Sequence, residues 1–327
     1  MTHRHSMMAV AFALTGFSAA MISTSAGAQA FPAKPIRIIV GYPPGGGADL
    51  PARSLAAAIQ PQLGQQVIVD NRPGGGGSLA ANMVAKSAAD GYTLLLTDAG
   101  PVVNAPALVK DLPYDPAKEL VIASTLAKTY YMVVAGAALK AQTMKDMIAE
   151  AKAAPGKLSL GHSGIGSQHH LAWEYFKSRT GIDVQSVAYK GSSASMTDVV
   201  GGQVPMAIVG PGAAVNLIRA GKVRALGISA PARLPAFPDI PAMSEFAPGY
   251  TVLAWNGVWA PSALPKPVLA RLNAEINRAL GTQEMVRQLA DQGLEPLPNG
   301  VDESAAFWRS ELALWPDLIR RLGITGN

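Results

Sequence analysis

Short β-branched runs alternate with Ala-rich, helix-periodic stretches along most of the chain, and glycine or proline marks nearly every change between them. Ile36-Arg37-Ile38-Ile39-Val40 reads as a strand that runs into Gly41-Tyr42-Pro43-Pro44-Gly45-Gly46-Gly47. Asp49 stands where an N-cap belongs, ahead of a helix over 50–59. The unit then repeats, with a strand at 66–70, a glycine turn at 74–77, and Ser78 placed to cap a helix over 79–86. Asp90-Gly91 is a turn, and 92–97 reads as a buried strand. After a Pro-rich connection at 112–116 the same grammar resumes. Strands are expected at 130–134, 158–161, 184–187, 204–209 and 225–229, and helices at 143–153, 167–177, 195–200 and 213–220. A second Pro-rich stretch at 231–241 leads to strand character at 251–260. Helices follow at 267–280, 282–292 and 303–321, the last with a kink or break expected at Pro316.

Strands and helices in this alternation argue for an α/β architecture around largely parallel sheets. Two such cores with helices appended at the end imply two lobes, the C-terminal helices returning to cover the first. The natural ligand site of such a molecule is the crevice at the carboxyl ends of the strands.

Composition narrows the partners. Of 327 residues, 49% are hydrophobic and only 15% charged, so there is ample apolar material for a core. Cysteine is absent, which excludes a disulfide framework, Cys-ligated metal and a Cys nucleophile. The formal charge is +5, without a basic block, and nucleic acid is not an expected partner. Residues 1–30 join a basic start at Arg4, an apolar centre over 7–22 and Ala28-Gln29-Ala30, an A-x-A cleavage pattern. That is the layout of a signal peptide cut after Ala30, which places the product in the periplasm.

Two glycine loops carry the candidate chemistry. In Pro43-Pro44-Gly45-Gly46-Gly47-Ala48-Asp49 the backbone can approach a ligand, and the helix start offers unpaired N–H groups to a carboxylate or phosphate. A tight structural turn explains the same spacing equally well. The Gly-Lys-Ser/Thr ending of a phosphate loop and the third glycine of a dinucleotide site are both missing. The second loop, Gly161-His162-Ser163-Gly164-Ile165-Gly166-Ser167, has the same setting. It is not a nucleophile elbow, because Ile165 stands where G-x-S-x-G requires glycine and no histidine follows a downstream acid. His162, His169 and His170 invite a metal, but His169 and His170 are adjacent and cannot share a helix face. They read instead as one loop histidine, one exposed helical histidine and one facing the crevice. Gly74 to Gly77 reads as a flexible surface turn, and Trp255 with Trp259 as core packing on one strand face.

The motifs taken in order resemble the periplasmic substrate-binding proteins of tripartite tricarboxylate transporters, the Bug or TctC family. They are Tyr42-Pro43-Pro44-Gly45-Gly46-Gly47-Ala48-Asp49, Val69-Asp70-Asn71-Arg72-Pro73-Gly74 and Asp90-Gly91-Tyr92-Thr93-Leu94-Leu95, then Leu112-Pro113-Tyr114-Asp115-Pro116, Tyr189-Lys190-Gly191-Ser192, Gly201-Gly202-Gln203-Val204 and Ala270-Arg271-Leu272-Asn273. The resemblance covers the chain beyond the leader. It implies a type II-like Venus-flytrap fold, with residues 31–128 and 254–327 in one domain and 129–253 in the other. It further implies no catalysis and a small carboxylate held in the interdomain cleft for delivery to membrane transporter subunits; no cofactor, no metal and a monomer are also expected. Carried over by position, the ligand-binding residues are Tyr42, Gly45, Gly46 and Gly47 of the first loop, with Asp49 as the cap that fixes it. In the second they are Ser163, Gly164, Ile165, Gly166, Ser167 and His170.

Two departures bear on the ligand. Where many relatives carry a Thr-His-Ala-Ile-Asn-like run, Gly100-Pro101-Val102-Val103-Asn104 keeps only Asn104. Where many carry an acidic and amide pair, Pro205 to Gly210 has none, and Val209 faces the expected site. Both loops should meet the far end of the ligand, so an acid with an apolar body, such as an aromatic carboxylate, is expected, and an amino acid is not. A sensor using the same fold and ligand is the alternative role, and an exported serine hydrolase a weaker one.

Overall fold

The computed structural model describes residues 31–45 and 48–325; the expected leader with its cleavage site, together with Gly46 and Gly47, lies outside the described residues. The first sheet is built from β1 (Ile36–Val40), β2 (Val67–Asn71), β3 (Thr93–Asp98), β4 (Leu120–Tyr130), β10 (Leu253–Pro261) and β11 (Glu295–Pro296), in the order β11-β4-β10-β3-β1-β2. β1 pairs in parallel with β2 and β3, while β10 runs antiparallel between β3 and β4. The second sheet takes β5 (Met132–Ala135), β6 (Ser159–His162), β7 (Gln185–Ala188), β8 (Met206–Val209) and β9 (Arg224–Ile228), in the order β7-β6-β8-β5-β9. There β6 is parallel to β7 and β8, and β5 is antiparallel to β8 and β9. Parallel neighbours need crossovers, and the helices supply them.

α1 (Asp49–Leu63) links β1 to β2, and α2 (Ser78–Ala85) links β2 to β3; α3 (Ala105–Leu108) and α4 (Pro116–Glu119) precede β4. α5 (Met144–Ala153), α6 (Gln168–Thr180), α7 (Ser192–Val200) and α8 (Pro211–Arg219) surround the second sheet. α9 (Lys266–Leu280), α10 (Gln283–Asp291) and α11 (Val301–Arg321) follow β10, and α9 and α11 pack on β4. The expected return of the C-terminal helices to the first sheet is therefore found. No helix among the described residues is long and apolar enough to cross a membrane.

Several boundaries moved for identifiable reasons. The strand expected at 130–134 is two: an eleven-residue β4 ending at Tyr130, then Tyr131, then β5. β4 is buried on both faces for most of its length, so it lacks the alternation that marks a half-exposed strand. Asp49 is not the N-cap of α1; Ala48 is, and Asp49 is the first helical residue. Ser78 likewise opens α2 behind Gly77, whose φ of 93° a side chain would resist. Thr143 caps α5 as expected, in a capping box with Asp146. α11 runs through Pro316 without a break, because Trp308 and Trp315, with Leu318 and Ile319 beyond the proline, are all buried.

Between the sheets the chain crosses twice. Tyr131 separates β4 from β5, and residues 229–252 lead from β9 back to β10. The crossings are tied together at Ser229: its Oγ accepts from the Tyr131 N–H at 2.8 Å and donates to the Val252 carbonyl at 2.7 Å. The Ser229 N–H also donates to the Tyr131 carbonyl, and the Val252 N–H to that of Ser229. One apolar cluster runs through this junction, from Ile39, Leu95 and Val103 past Tyr131 and Trp255 to Leu160, Trp173 and Phe176. Trp255 and Trp259 are core residues, their ring centroids 5.6 Å apart.

Candidate functional site

The first loop is set by close backbone packing. A Cβ on Gly41 would lie 2.5 Å from the Gly77 Cα, so Gly41 lets the loop after β1 rest on the turn before α2. The turn expected at Gly74 to Gly77 holds a 3₁₀ turn, Gly75–Gly77, with Gly75 and Gly76 exposed at the surface and Gly77 packed against Gly41 and Tyr42. Tyr42 extends over it, and its hydroxyl donates to Asp98 Oδ1 at 2.7 Å. The Gly100 N–H donates to the same oxygen at 2.9 Å. Gly45 adopts a φ of 79° and its N–H donates to Asp49 Oδ2 at 2.8 Å. Arg53 and the Asn71 amide complete the shell of Asp49, and Asn71 also donates to the Tyr42 carbonyl. Burial works against the Asp49 charge, yet Arg53, the Gly45 N–H and Asn71 together hold its carboxyl below the usual range. Asp49 fixes the loop, from the first turn of α1 instead of from the cap position.

The second loop is fixed by imidazoles. Gly164 and Gly166 have φ of 126° and 74°. His162 Nδ1 lies 3.0 Å from the Gly164 carbonyl oxygen, and the Gly166 N–H donates to His170 Nδ1 at 3.1 Å. The two rings stack with centroids 4.4 Å apart. Ser167 caps α6 by accepting from the His170 N–H at 3.2 Å. Ile165 is 48% exposed at the loop tip. Across from it a Cβ on Gly166 would meet Leu108 Cδ1 at 2.7 Å, so the loop after β6 touches the helix that follows β3.

His169 is not the exposed helical residue expected. Its ring lies against Tyr131 with centroids 4.4 Å apart, Nδ1 is 2.8 Å from Ser163 Oγ, and Nε2 is 3.5 Å from Ser192 Oγ. Burial, aided by its imidazole neighbours, pushes His169 down to about 3 and His162 to about 4, so both are neutral near pH 7. Burial also lowers His170, against the pull of Glu174 at 3.8 Å. Ser163 and His169 make a serine–histidine contact, but a serine hydroxyl, not a carboxylate, faces the far nitrogen. Among the described residues no three His, Asp or Glu side chains are grouped to hold a metal.

Of the remaining expected residues, Asn104 is fully buried and its amide has no partner among the described residues. Val209 is fully buried in the apolar cluster of Met132, Val134, Ala214 and Ile228. The sequence reading passed over Asp98, Tyr131, His169 and Ser192. Asp98 ends β3, His169 follows β6 and Ser192 follows β7, so the rule that ligands gather at strand carboxyl ends was the signal for all three. Burial raises the Asp98 carboxyl, and Tyr131 is raised first by burial and then by the neighbouring Asp98. Loops from both sheets and the crossover residue between them therefore meet in one place.

Two α/β lobes joined by crossing strands, with glycine turns at the strand ends of each, define a Venus-flytrap periplasmic binding protein. The chain matches the Tripartite tricarboxylate transporter family receptor family, TctC, over residues 51–324, and it belongs to that family. It is 35% identical to protein BugT of Bordetella pertussis, over 92% of this chain and 93% of that protein. Among solved structures it is similar to Rpa4515 of R. palustris with adipate, at 30% identity and a TM-score of 0.84, covering 91% of this chain and all of the other. It is similar too to MatC from Rhodopseudomonas palustris with bound malate, at 30% identity and a TM-score of 0.79, covering 88% of this chain and all of the other. The chain is a solute-binding protein and not an enzyme.

Proposed function

We propose that the protein captures a small organic carboxylate in the periplasm and presents it, in a closed form, to the membrane subunits of a tripartite transporter. The observation that carries this reading is the pair of glycine turns, one at the end of β1 and one at the end of β6, on either side of the Tyr131 crossover. Oriented main-chain N–H groups bind an anion strongly and need little reorganisation. The grip is assigned to Gly45, Gly46 and Gly47 with Tyr42, and to Ser163, Gly164, Ile165, Gly166, Ser167 and His170. Because the Gly45 N–H is held by Asp49, and those of Gly164, Gly166 and Ser167 by His162, His170 and the Gly164 carbonyl, the carboxylate falls to the neighbouring amides of each turn, those of Ser163 and Ile165 in the second. Closure is read as a hinge motion of residues 31–128 and 254–327 against 129–253, bending at the tied crossings.

An apolar-bodied or aromatic acid stays the reading drawn from the polar groups absent at 100–104 and 205–210; Val102, Val103 and Val209 themselves are packed in the core and do not line the site. The similar structures of Rpa4515 with adipate and of MatC with bound malate support the class of ligand. The test is a thermal-shift screen of mono-, di- and tricarboxylates followed by calorimetry. At a concentration 100-fold above its dissociation constant the ligand adds about 2.7 kcal/mol of stability. A screen in which no carboxylate stabilises the protein contradicts the reading.

A further inference from the structure

We infer that the cargo is an acid carrying one hydrogen-bond-donating group, a hydroxyl or an amine, and that Asp98 is the residue that selects it. This rests on the carboxylate-binding reading above and deepens it. The starting point is how Asp98 is used. Both of its contacts to other residues, the Tyr42 hydroxyl at 2.7 Å and the Gly100 N–H at 2.9 Å, go to Oδ1. Oδ2 accepts from no other residue among the described ones, and no Lys or Arg there forms an ion pair with Asp98.

A second observation points to the same place. Tyr131 is 5% exposed, and its phenol makes no hydrogen bond among the described residues. It sits at the crossover between the lobes, against His169, and within the field of the Asp98 charge. Glu311, the other acid close to Tyr131, is already held by the indole N–H groups of Trp255 and Trp315. An acceptor and a phenol without partners therefore lie close enough to interact electrostatically, Asp98 at the end of β3 and Tyr131 just past the end of β4.

An uncompensated carboxylate beside a site for anions has a clear consequence. It repels a second bare carboxylate or an acid's unsubstituted π-face, and it rewards a ligand that brings a donor to Oδ2. Specificity of this kind is large once closure covers the half-buried Asp98, because a ligand lacking the donor then leaves that acceptor unpaired. The same logic amends the expectation drawn from 205–210: the acidic partner missing there is present at the end of β3.

The experiment compares matched acids by calorimetry: benzoate with 3- and 4-hydroxybenzoate and their methyl ethers, and succinate with malate and aspartate. In whichever series binds, the donor-bearing acid is expected to bind at least tenfold tighter than its parent, and methylation of the hydroxyl should erase the gain. Asp98→Asn keeps Oδ1 for Tyr42 and Gly100 but turns Oδ2 into an NH₂ donor, so the preference should fall below threefold. Tyr131→Phe serves as the second variant should Asp98→Asn not fold, and it should cut the preference at least threefold. Parent acids that bind as tightly as their donor-bearing partners, or a preference unchanged in either variant, would overturn the assignment while leaving carboxylate binding intact. If no acid of either kind binds, the underlying reading fails and this one with it.

Discussion

Gly41 shows how a single residue sets the site. Its missing side chain lets the loop after β1 lie on Gly77, with the Tyr42 hydroxyl reaching across to Asp98. Gly41→Ala places a methyl group where backbone already stands, and overpacking of this kind costs about 1–3 kcal/mol. Chemical denaturation should show that loss together with weaker carboxylate binding; an unperturbed midpoint would mean that the two turns do not depend on each other. The histidines are the other residue-scale lesson. The sequence placed His162, His169 and His170 near the second loop, but their adjacency suggested exposure for one of them. In the fold all three pack inward: the Gly164 carbonyl, Ser163 Oγ and the Gly166 N–H give their ring nitrogens partners, and the Tyr131 ring packs against His169.

That inward packing has a pH consequence. His162 and His169 titrate at about 4 and about 3 in the folded protein, below the ordinary value of 6.5. Between pH 6.5 and 4 the unfolded chain takes up these protons and the folded one does not. Their contribution is fully present above pH 6.5 and fades on acidification, at up to about 1.4 kcal/mol per pH unit for each group. The raised carboxyls of Asp98 and Glu311 act in the opposite sense, so the comparison with a variant is the cleaner one. Denaturation midpoints measured from pH 7 to 4.5 should fall less steeply in His169→Gln than in the parent. Parallel pH profiles would contradict the burial of a neutral imidazole there.

At the scale of elements, most of the fold was legible because each strand–loop–helix unit carries its own punctuation. β1, α5 and the capped start of α6 follow directly from β-branched runs, Thr143 and Ser167. β4 was not legible, since a central strand covered on both faces has no polar alternation to reveal it. Nor was the tie between the crossings, which joins residues about a hundred positions apart through Ser229. Ser229→Ala leaves the Tyr131 N–H and the Val252 carbonyl each short of a buried partner. Destabilisation of about 2 kcal/mol is expected from one such unsatisfied pair. A denaturation midpoint equal to that of the parent would show that the crossings are held by packing alone.

For the whole molecule, two sheets of different strand order each carry a glycine turn at a strand end, and the sequence revealed both turns. What it could not reveal was the third party to the site, the polar group of Asp98, Tyr131, His169 and Ser192, since these come from four separate elements and share no local motif. The account as a whole stands on main-chain amides from both lobes holding one carboxylate. A crystal structure of the protein with its bound acid tests this most directly. The account predicts carboxylate oxygens about 3 Å from amides of the turn after β1 and of the turn after β6 at once. An acid lodged elsewhere, or held by one lobe alone, would contradict it.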